Sequence, residues 1–151
     1  MDIIITFLVS MLPILELRGA IPLGIAVYNL SPQTAFFVSV LGNFTAALII
    51  LLVLPLIVDW LMAKSYFLNR FFTWLFERTR SKTIDKYIKY GYWALILFVA
   101  IPLPITGAWT GSVAAYIFNI PFKKSWWLIL LGIIIAGLIM TFGTLGIKLI
   151  I

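Results

Sequence analysis

The sequence predicts an all-α integral membrane protein with two inverted repeats, each a re-entrant helical hairpin followed by a transmembrane helix, and an amphipathic surface helix between them. Three observations predict this fold. The 151 residues are 64% hydrophobic and 11% charged, whereas soluble domains are about a quarter charged. The charges are clustered, since nine of the 16 lie between Lys64 and Lys89. Finally, two apolar stretches are broken near their middle, and the two halves of the chain resemble each other.

The first repeat, residues 1–63, is predicted to begin with a hairpin over 3–28. The hairpin is broken by two charged and two helix-disturbing residues: Glu16, Arg18, Gly19 and Pro22. Each arm has about 12 residues and is therefore ~18 Å long, or about half a bilayer. Broken backbone at membrane depth is tolerated only where it faces protein or a wet cavity. The break therefore predicts a site.

A transmembrane helix is predicted over 32–63. Ser31 and Pro32 are typical of a helix start, because the serine caps the helix and the proline fits its first turn. The uncharged stretch that follows has about 25 residues and is ~37 Å long, enough to cross a bilayer with some tilt. The polar Asn43 lies in this span, where it is expected either to bond to a hairpin tip or to join two helices.

The segment 64–89 is predicted to be an amphipathic cytoplasmic linker. Aromatic residues recur in it at helical spacing, for example Phe67, Phe71 and Trp74, and basic residues occupy other positions. Such a helix lies on the membrane surface. A break is expected at Arg80–Thr83.

The second repeat, residues 90–151, contains a predicted hairpin over 90–118 and a span over 122–151. Its hairpin tip has no charge. It offers backbone groups, hydroxyls and an indole donor from Pro102, Pro104, Thr106, Gly107, Trp109, Thr110 and Gly111. Free N–H groups at the helix start after Gly107 favour an anion, although a purely structural turn remains the alternative.

An internal duplication explains why the halves match. Gly19-Ala20 and Gly107-Ala108 are each followed by a tyrosine at the same distance, and Gly42 and Ala46 recur 90 residues later as Gly132 and Ala136. A hairpin returns to its own side whereas a span crosses, so the second repeat is inverted relative to the first. Inverted repeats are common in transporters, with the site at their interface. The whole chain is one membrane domain, 1–151.

The basic residues predict the orientation in the cell membrane. The segments 64–89 and 121–125 lie on one predicted side and hold nine of the 11 Lys and Arg residues. Positive residues favour the cytoplasm. Both segments are therefore predicted to be cytoplasmic and both termini to be outside in a multi-pass protein. Four plain spans would instead place both termini inside.

Several function classes are excluded by composition. The chain has no cysteine and no histidine, which removes thiolate chemistry and the commonest general base and metal ligand. The five carboxylates do not form an intramembrane aspartyl pair, so we predict a non-enzyme with no metal and no cofactor. The basic residues flank apolar spans, which indicates contact with anionic lipid headgroups rather than with nucleic acid.

Glu16 and Arg18 are the leading site candidates. Ionisable residues inside an apolar segment are costly and mark functional sites by default. A guanidinium is suited to gripping phosphate with two hydrogen bonds. The alternative is a structural ion pair that locks the hairpin tip.

The segments ELRGAIPLG at Glu16–Gly24 and PLPITGAWTG at Pro102–Gly111 resemble the putative small multidrug export protein family, over nearly the whole chain. That family is more remotely similar to the DedA/VTT membrane proteins. The resemblance implies facing re-entrant hairpins and a role in lipid translocation or proton-linked transport. Glu16 matches the hairpin acid of the DedA group. The arginines of that group's second hairpin have no counterpart here, and Arg18 lies in the first hairpin instead.

Three functions remain open. The leading hypothesis is a transporter or lipid flippase or scramblase that moves an amphiphilic, anionic substrate between the hairpin tips. The second is a proton-coupled small multidrug exporter that uses Glu16. The third is a non-transporting membrane assembly protein in which Glu16 and Arg18 only pin the fold. The expected partners are membrane lipids and a small amphiphilic substrate. A chain this small could also need a second copy of itself, in a homo-oligomer, to seal the pathway.

Overall fold

The prediction of an all-helical chain is confirmed. The computed structural model describes residues 1–90, 92–103 and 106–150, with side chains outside 79–90, and these residues contain helices but no strand. The helices are α1 Asp2–Met11, α2 Glu16–Pro22, which continues as a π-helical turn Leu23–Val27, α3 Pro32–Lys64, α4 Tyr66–Tyr90, α5 Trp93–Ala100, α6 Ala108–Ile117 and α7 Phe122–Ile150.

Two pairs of short helices form helical hairpins. Helices α1 and α2 pack together around the break at 12–15, and α5, which ends at Ala100, packs against α6, which begins at Ala108. Helix α1 ends where Leu12 adopts an extended conformation. Helix α2 begins at Glu16 with a φ of 47°, a value that non-glycine residues adopt only under local constraint. Both breaks lie within the predicted hairpins.

Each hairpin is followed by an asparagine in the left-handed region. Asn29 has a φ of 51° and Asn119 a φ of 55°, and they are 90 residues apart in the sequence. Asparagine tolerates this conformation because its short polar side chain bonds locally. The same turn residue therefore directs the chain from α2 into α3 and from α6 into α7.

Helices α3 and α7 are long and apolar enough to cross a membrane. The predicted start of α3 has the expected cap, because the Thr34 amide donates to Ser31 Oγ over 3.2 Å. Small residues let the first arm of each hairpin closely approach the long helix that follows that hairpin in the chain. Gly42 lies against Phe7 and Ser10 of α1, and Gly132 lies against Ile96 and Val99 of α5.

The predicted break at Arg80–Thr83 is wrong, because α4 runs without interruption from Tyr66 to Tyr90. These four residues include no glycine or proline, and their helix propensities differ from alanine by less than about 0.7 kcal/mol each. The cost of continuing the helix is therefore small. Helix α4 packs against α3, α5 and α6, and Phe76 makes an edge-to-face contact with Tyr116 at 5.6 Å.

The helices pack in a reciprocal pattern around α3 and α7. The first arm of each hairpin contacts the long helix that follows it: α1 contacts α3, and α5 contacts α7. The second arms contact the other long helix: α2 contacts α7, and α6 contacts α3. The two long helices also contact each other, with Gly137 of α7 against Phe36 and Val40 of α3. The second arm of each hairpin thus contacts the long helix of the other half of the chain as well as that of its own half, which brings the two breaks together.

Candidate functional site

The carboxylate of Glu16 lies at the N-terminus of α6. The Trp109 amide donates to Glu16 Oε1 over 3.2 Å, and only 5% of the Glu16 surface is exposed. Gly107 precedes α6 with a φ of 135°, and a Cβ built on it would overlap the Glu16 carboxylate. The missing side chain at position 107 is therefore what admits Glu16.

This arrangement caps α6 from another part of the chain. The first amides of a helix have no partner within the helix, and the helix dipole favours a negative charge there. A side chain at the N-cap normally accepts one of these bonds, but Gly107 has none. Glu16, 93 positions away from Trp109, provides the acceptor and the charge instead.

Arg18 binds the non-helical segment that follows α5. Its guanidinium donates to the carbonyl oxygens of Leu103 and Thr106, and Nη2 also donates to Thr106 Oγ1 over 3.0 Å. The Thr106 hydroxyl in turn lies 2.7 Å from the carbonyl oxygen of Ile101 and accepts from the Leu103 amide. A rigid fork with several donors suits such divergent acceptors.

In a third connection between the hairpins, a side chain of the second hairpin is the donor. The indole Nε1 of Trp109 donates over 3.0 Å to the carbonyl oxygen of Met11, at the end of α1, where helix carbonyls lack partners within the helix. We call these three connections the tip clasp: Glu16 with Trp109, Arg18 with Leu103 and Thr106, and Trp109 with Met11. Each hairpin thus satisfies backbone groups that the break in the other hairpin leaves open.

The structure brings five of the predicted site residues together, namely Glu16, Arg18, Thr106, Gly107 and Trp109. The two charged groups bond to the second hairpin rather than to each other. Other predicted site residues have local roles. The Thr110 hydroxyl lies 3.4 Å from the Gly107 carbonyl oxygen, Gly111 packs against Val99, and Gly19 packs against Leu15.

Pro22 and Pro102 are not among the residues of the tip clasp. Pro102 is half-buried, and Pro104 lies outside the described residues. Pro22 lines a groove of about 520 Å³ between α2 and α7. The groove is apolar along most of its length, has Lys148 among its lining residues, and also contains Gly143.

Asn43 is buried but lacks a hydrogen-bond partner, so neither predicted interaction is present. Its Oδ1 and Nδ2 atoms are unpartnered, as is Oγ of Ser39, one turn earlier on α3. Sequence reasoning missed Ser39, although two polar residues four apart in an apolar span were a usable signal. It also missed Met11 and Leu103, because their backbone carbonyls are what bond and a carbonyl leaves no signal in the sequence.

The comparisons with known proteins give one match. No curated protein and no solved structure matches the chain, and the more remote similarity to DedA/VTT proteins stays a prediction. One family model matches residues 16–139 and so includes both hairpin tips. With two helices apolar enough to cross a membrane, the family indicates a membrane protein. The chain belongs to the family described as "Putative small multi-drug export protein".

Proposed function

We propose that this protein is a non-enzymatic transporter that moves small anionic amphiphiles, including lipids, between the two hairpin tips. The tip clasp is the observation that carries the proposal. It uses two ionisable side chains inside an apolar chain, which is costly unless they serve a function. All its bonds cross from one hairpin to the other, so the tips cannot part without breaking them. The clasp is then the closed state of a gate.

The reciprocal packing supports two inverted repeats. Gly24 in the second arm of the first hairpin lies against Ala35 of α3, whereas Ser112 of α6 reaches the carbonyl of Ala47 further along α3. The second arm of the first hairpin therefore meets α3 near its start, and the second arm of the second hairpin meets α3 near its middle. Hairpins that enter from opposite sides of a bilayer would have this arrangement, with both tips near the midplane. Rocking one repeat against the other would then give alternating access.

In this arrangement both termini are outside, and residues 64–89 and 121–125 are cytoplasmic. The nine basic residues of those segments support this orientation through the positive-inside rule. A reporter fused to the C-terminus that is active only outside the cytoplasm tests it. An active cytoplasmic reporter at that position would overturn the re-entrant topology.

The clasp also indicates the charge of the substrate. Glu16 occupies the place that an anion takes at a helix N-terminus, so a phosphate or carboxylate could replace it on the α6 amides when the tips part. Arg18 would then bind the same anion with two hydrogen bonds. The α2–α7 groove, with its apolar walls and Lys148, fits the tail and the head of such an amphiphile.

Lipid translocation in phosphatidylcholine vesicles tests this function, with fluorescent phosphatidylglycerol as the anionic probe and fluorescent phosphatidylcholine as the zwitterionic one. The wild-type protein should move the anionic probe faster. We expect Arg18→Gln to slow it about tenfold, the equivalent of about 1.4 kcal/mol for one lost charged contact. Lys123→Gln removes an exposed cation outside the clasp and should leave the rate unchanged. A folded Arg18→Gln protein with the wild-type rate would refute the role of the clasp.

Two glycines of α7 test the groove. A Cβ on either Gly143 or Gly146 meets no atom within 4 Å, so a larger side chain fits the fold at both positions. Only Gly143 lines the groove. Gly143→Leu should slow translocation of the anionic probe because leucine fills the groove, whereas Gly146→Leu should not. Equal rates for the two variants would remove the groove from the pathway.

A proton-coupled exporter of hydrophobic cations is the second candidate. It is favoured by the burial of the Glu16 carboxylate and by the family's export description. Protonation would neutralise the cap of α6 and loosen the clasp. Vesicles with a pH gradient and a cationic dye test this candidate, which requires dye movement in the wild type and none in Glu16→Gln. If neither lipid nor dye moves, both transport hypotheses fail for these probes, and the third hypothesis, a membrane assembly protein, is favoured. A homo-oligomer that seals the pathway would appear as a higher mass in lipid nanodiscs.

A further inference from the structure

Ser39 and Asn43 form a buried polar pair on α3. The exposed fraction is 0% for Ser39 and 1% for Asn43. The Ser39 hydroxyl and both amide atoms of Asn43 lack a hydrogen-bond partner. Buried polar groups are nearly always bonded to protein or to ordered water, since leaving them open costs free energy. Three such atoms within one helical turn therefore indicate that a bound molecule supplies the missing hydrogen bonds.

Other helical hydroxyls of this protein behave differently. Several of them donate to the carbonyl four residues earlier in their own helix: Thr6, Thr45, Ser112, Thr141 and Thr144. This local bond is the usual way to satisfy a hydroxyl in an apolar helix. The hydroxyl of Ser39 does not make it and so stays available to another partner.

The second repeat shows that the fold does not require polar residues here. At the offset of 90, Ser39 corresponds to Ile129 and Asn43 to Ile133. Both isoleucines have an exposed fraction of 0%. The equivalent places in α7 are thus filled by apolar side chains, and the polar pair is specific to α3.

The pair lies close to the tip clasp. Gly24 of the π-helical turn contacts Ala35 of α3. Glu16 lies eight residues before Gly24, and Asn43 lies eight residues after Ala35. Helices α2 and α3 are antiparallel because only residues 28–31 join the π-helical turn to α3. Asn43 is therefore level with the start of α2. Asn43 also precedes Ala47 by one turn, and Ala47 meets Ser112, one turn into α6.

We propose that Ser39 and Asn43 bind an internal water molecule behind the hairpin tips. A buried water makes two to four hydrogen bonds. The amide oxygen, the amide nitrogen and the hydroxyl provide three. A metal ion is a poorer fit, because hard cations prefer oxygen ligands and the amide nitrogen is a donor. This proposal does not depend on which substrate is carried.

Water-edited solid-state NMR of the full chain in lipid bilayers tests the site. Uniform ¹³C labelling of asparagine and isoleucine, together with ¹⁵N labelling of phenylalanine, identifies Asn43 without mutation, because Asn43-Phe44 is the one Asn-Phe pair in the sequence. Magnetisation should pass from water to the side chain of Asn43. The exposed Asn29, Asn69 and Asn119 serve as wet references, and Ile133 is the dry one. A signal from Asn43 as weak as that from Ile133 would overturn the proposal.

A double-mutant comparison tests whether Ser39 shares the site. Asn43→Leu is expected to fold because Ile133 occupies the equivalent position. Ser39→Ala should shift the melting midpoint in the wild type but not further in the Asn43→Leu background. Ser112→Ala, which removes a buried hydroxyl with its own partner, should shift it equally in both. Equal shifts from Ser39→Ala in the two backgrounds would exclude Ser39 from the site.

Discussion

The two hairpin tips have the same architecture and opposite chemistry. The tip of the first hairpin uses charged side chains, Glu16 and Arg18, to reach the second. The tip of the second uses mainly its backbone, with carbonyls at Leu103 and Thr106 and an amide at Trp109. The first hairpin therefore provides the charges. The second provides the backbone groups of Leu103, Thr106 and Trp109 that bind them, and we call this tip the receptor.

This difference shows that two hairpins of similar shape need not carry the same chemistry. The positions that set the backbone match at the offset of 90, such as Asn29 with Asn119 and Gly42 with Gly132. The positions at the tips and behind them do not. Variants in the receptor should therefore act through shape, and variants in the charged tip should act through electrostatics.

Gly107→Ala should have the largest effect, because it changes the shape of the receptor. The new Cβ would overlap the Glu16 carboxylate, and alanine is strained at a φ of 135°. Backbone strain of this kind costs about 1–3 kcal/mol, and the loss of a charged hydrogen bond adds about 1.5–3 kcal/mol. Thermal unfolding in detergent should show a destabilisation of at least about 2.5 kcal/mol.

Gly146→Ala is the matched control for that change. A Cβ there meets nothing within 4 Å, and alanine is favoured over glycine inside a helix by about 0.5–1 kcal/mol. The midpoint temperature of unfolding of Gly146→Ala should equal that of the wild type or be higher. If Gly107→Ala behaved like Gly146→Ala, the fit between Glu16 and the receptor would be disproved.

Arg18→Gln should have the second largest effect, because it removes a charge that binds three acceptors. We expect a loss of about 2 kcal/mol, within the range for hydrogen bonds to charged groups. Arg18→Lys should recover only part of this, because an ammonium cannot reproduce the planar fork. Unfolding of the three proteins at the same detergent concentration measures the order. Full recovery by lysine would show that charge alone matters at this position.

Glu16→Gln should have a smaller effect than either, because glutamine keeps an oxygen that accepts from the Trp109 amide. What is lost is the charge at the N-terminus of α6, which is worth about 0.3–1 kcal/mol at a surface and up to about 2 kcal/mol when partly buried. Because Glu16 is buried, the expected destabilisation is about 1.5 kcal/mol. An equal loss in Glu16→Gln and Glu16→Ala would contradict the hydrogen bond to Trp109.

The sequence alone predicted the elements that depend on composition and on residues that cap or interrupt helices. Apolar length indicated α3 and α7, and the Ser31-Pro32 pair indicated where α3 begins. The breaks around Glu16 and Gly107 followed from charge, proline and glycine. The continuation of α4 through Arg80–Thr83 was not predicted, because polar residues without glycine or proline only weakly disfavour a helix.

The site was predicted as a meeting of two tips but not as a set of bonds. That Glu16 caps α6 depends on packing between segments far apart in the chain, and the acceptors of Arg18 are carbonyls that every residue has. The lack of a partner for Ser39 is likewise visible only once the neighbouring helices are in place. Residue identity therefore marked the charged tip, whereas the receptor required the fold.

Trp109→Phe should have the smallest effect, because it removes one neutral side-chain hydrogen bond and leaves both charged side chains of the tip clasp in place. Phenylalanine keeps much of the packing but lacks the Nε1 donor, so the Met11 carbonyl loses its partner. A neutral hydrogen bond is worth about 1 kcal/mol, and we expect a destabilisation of that size in detergent. Trp127→Phe changes a tryptophan of α7 that is 41% exposed and should shift the midpoint less. If both variants shifted it equally, the indole bond would contribute nothing, and the clasp would depend on the two charged side chains of the first hairpin alone.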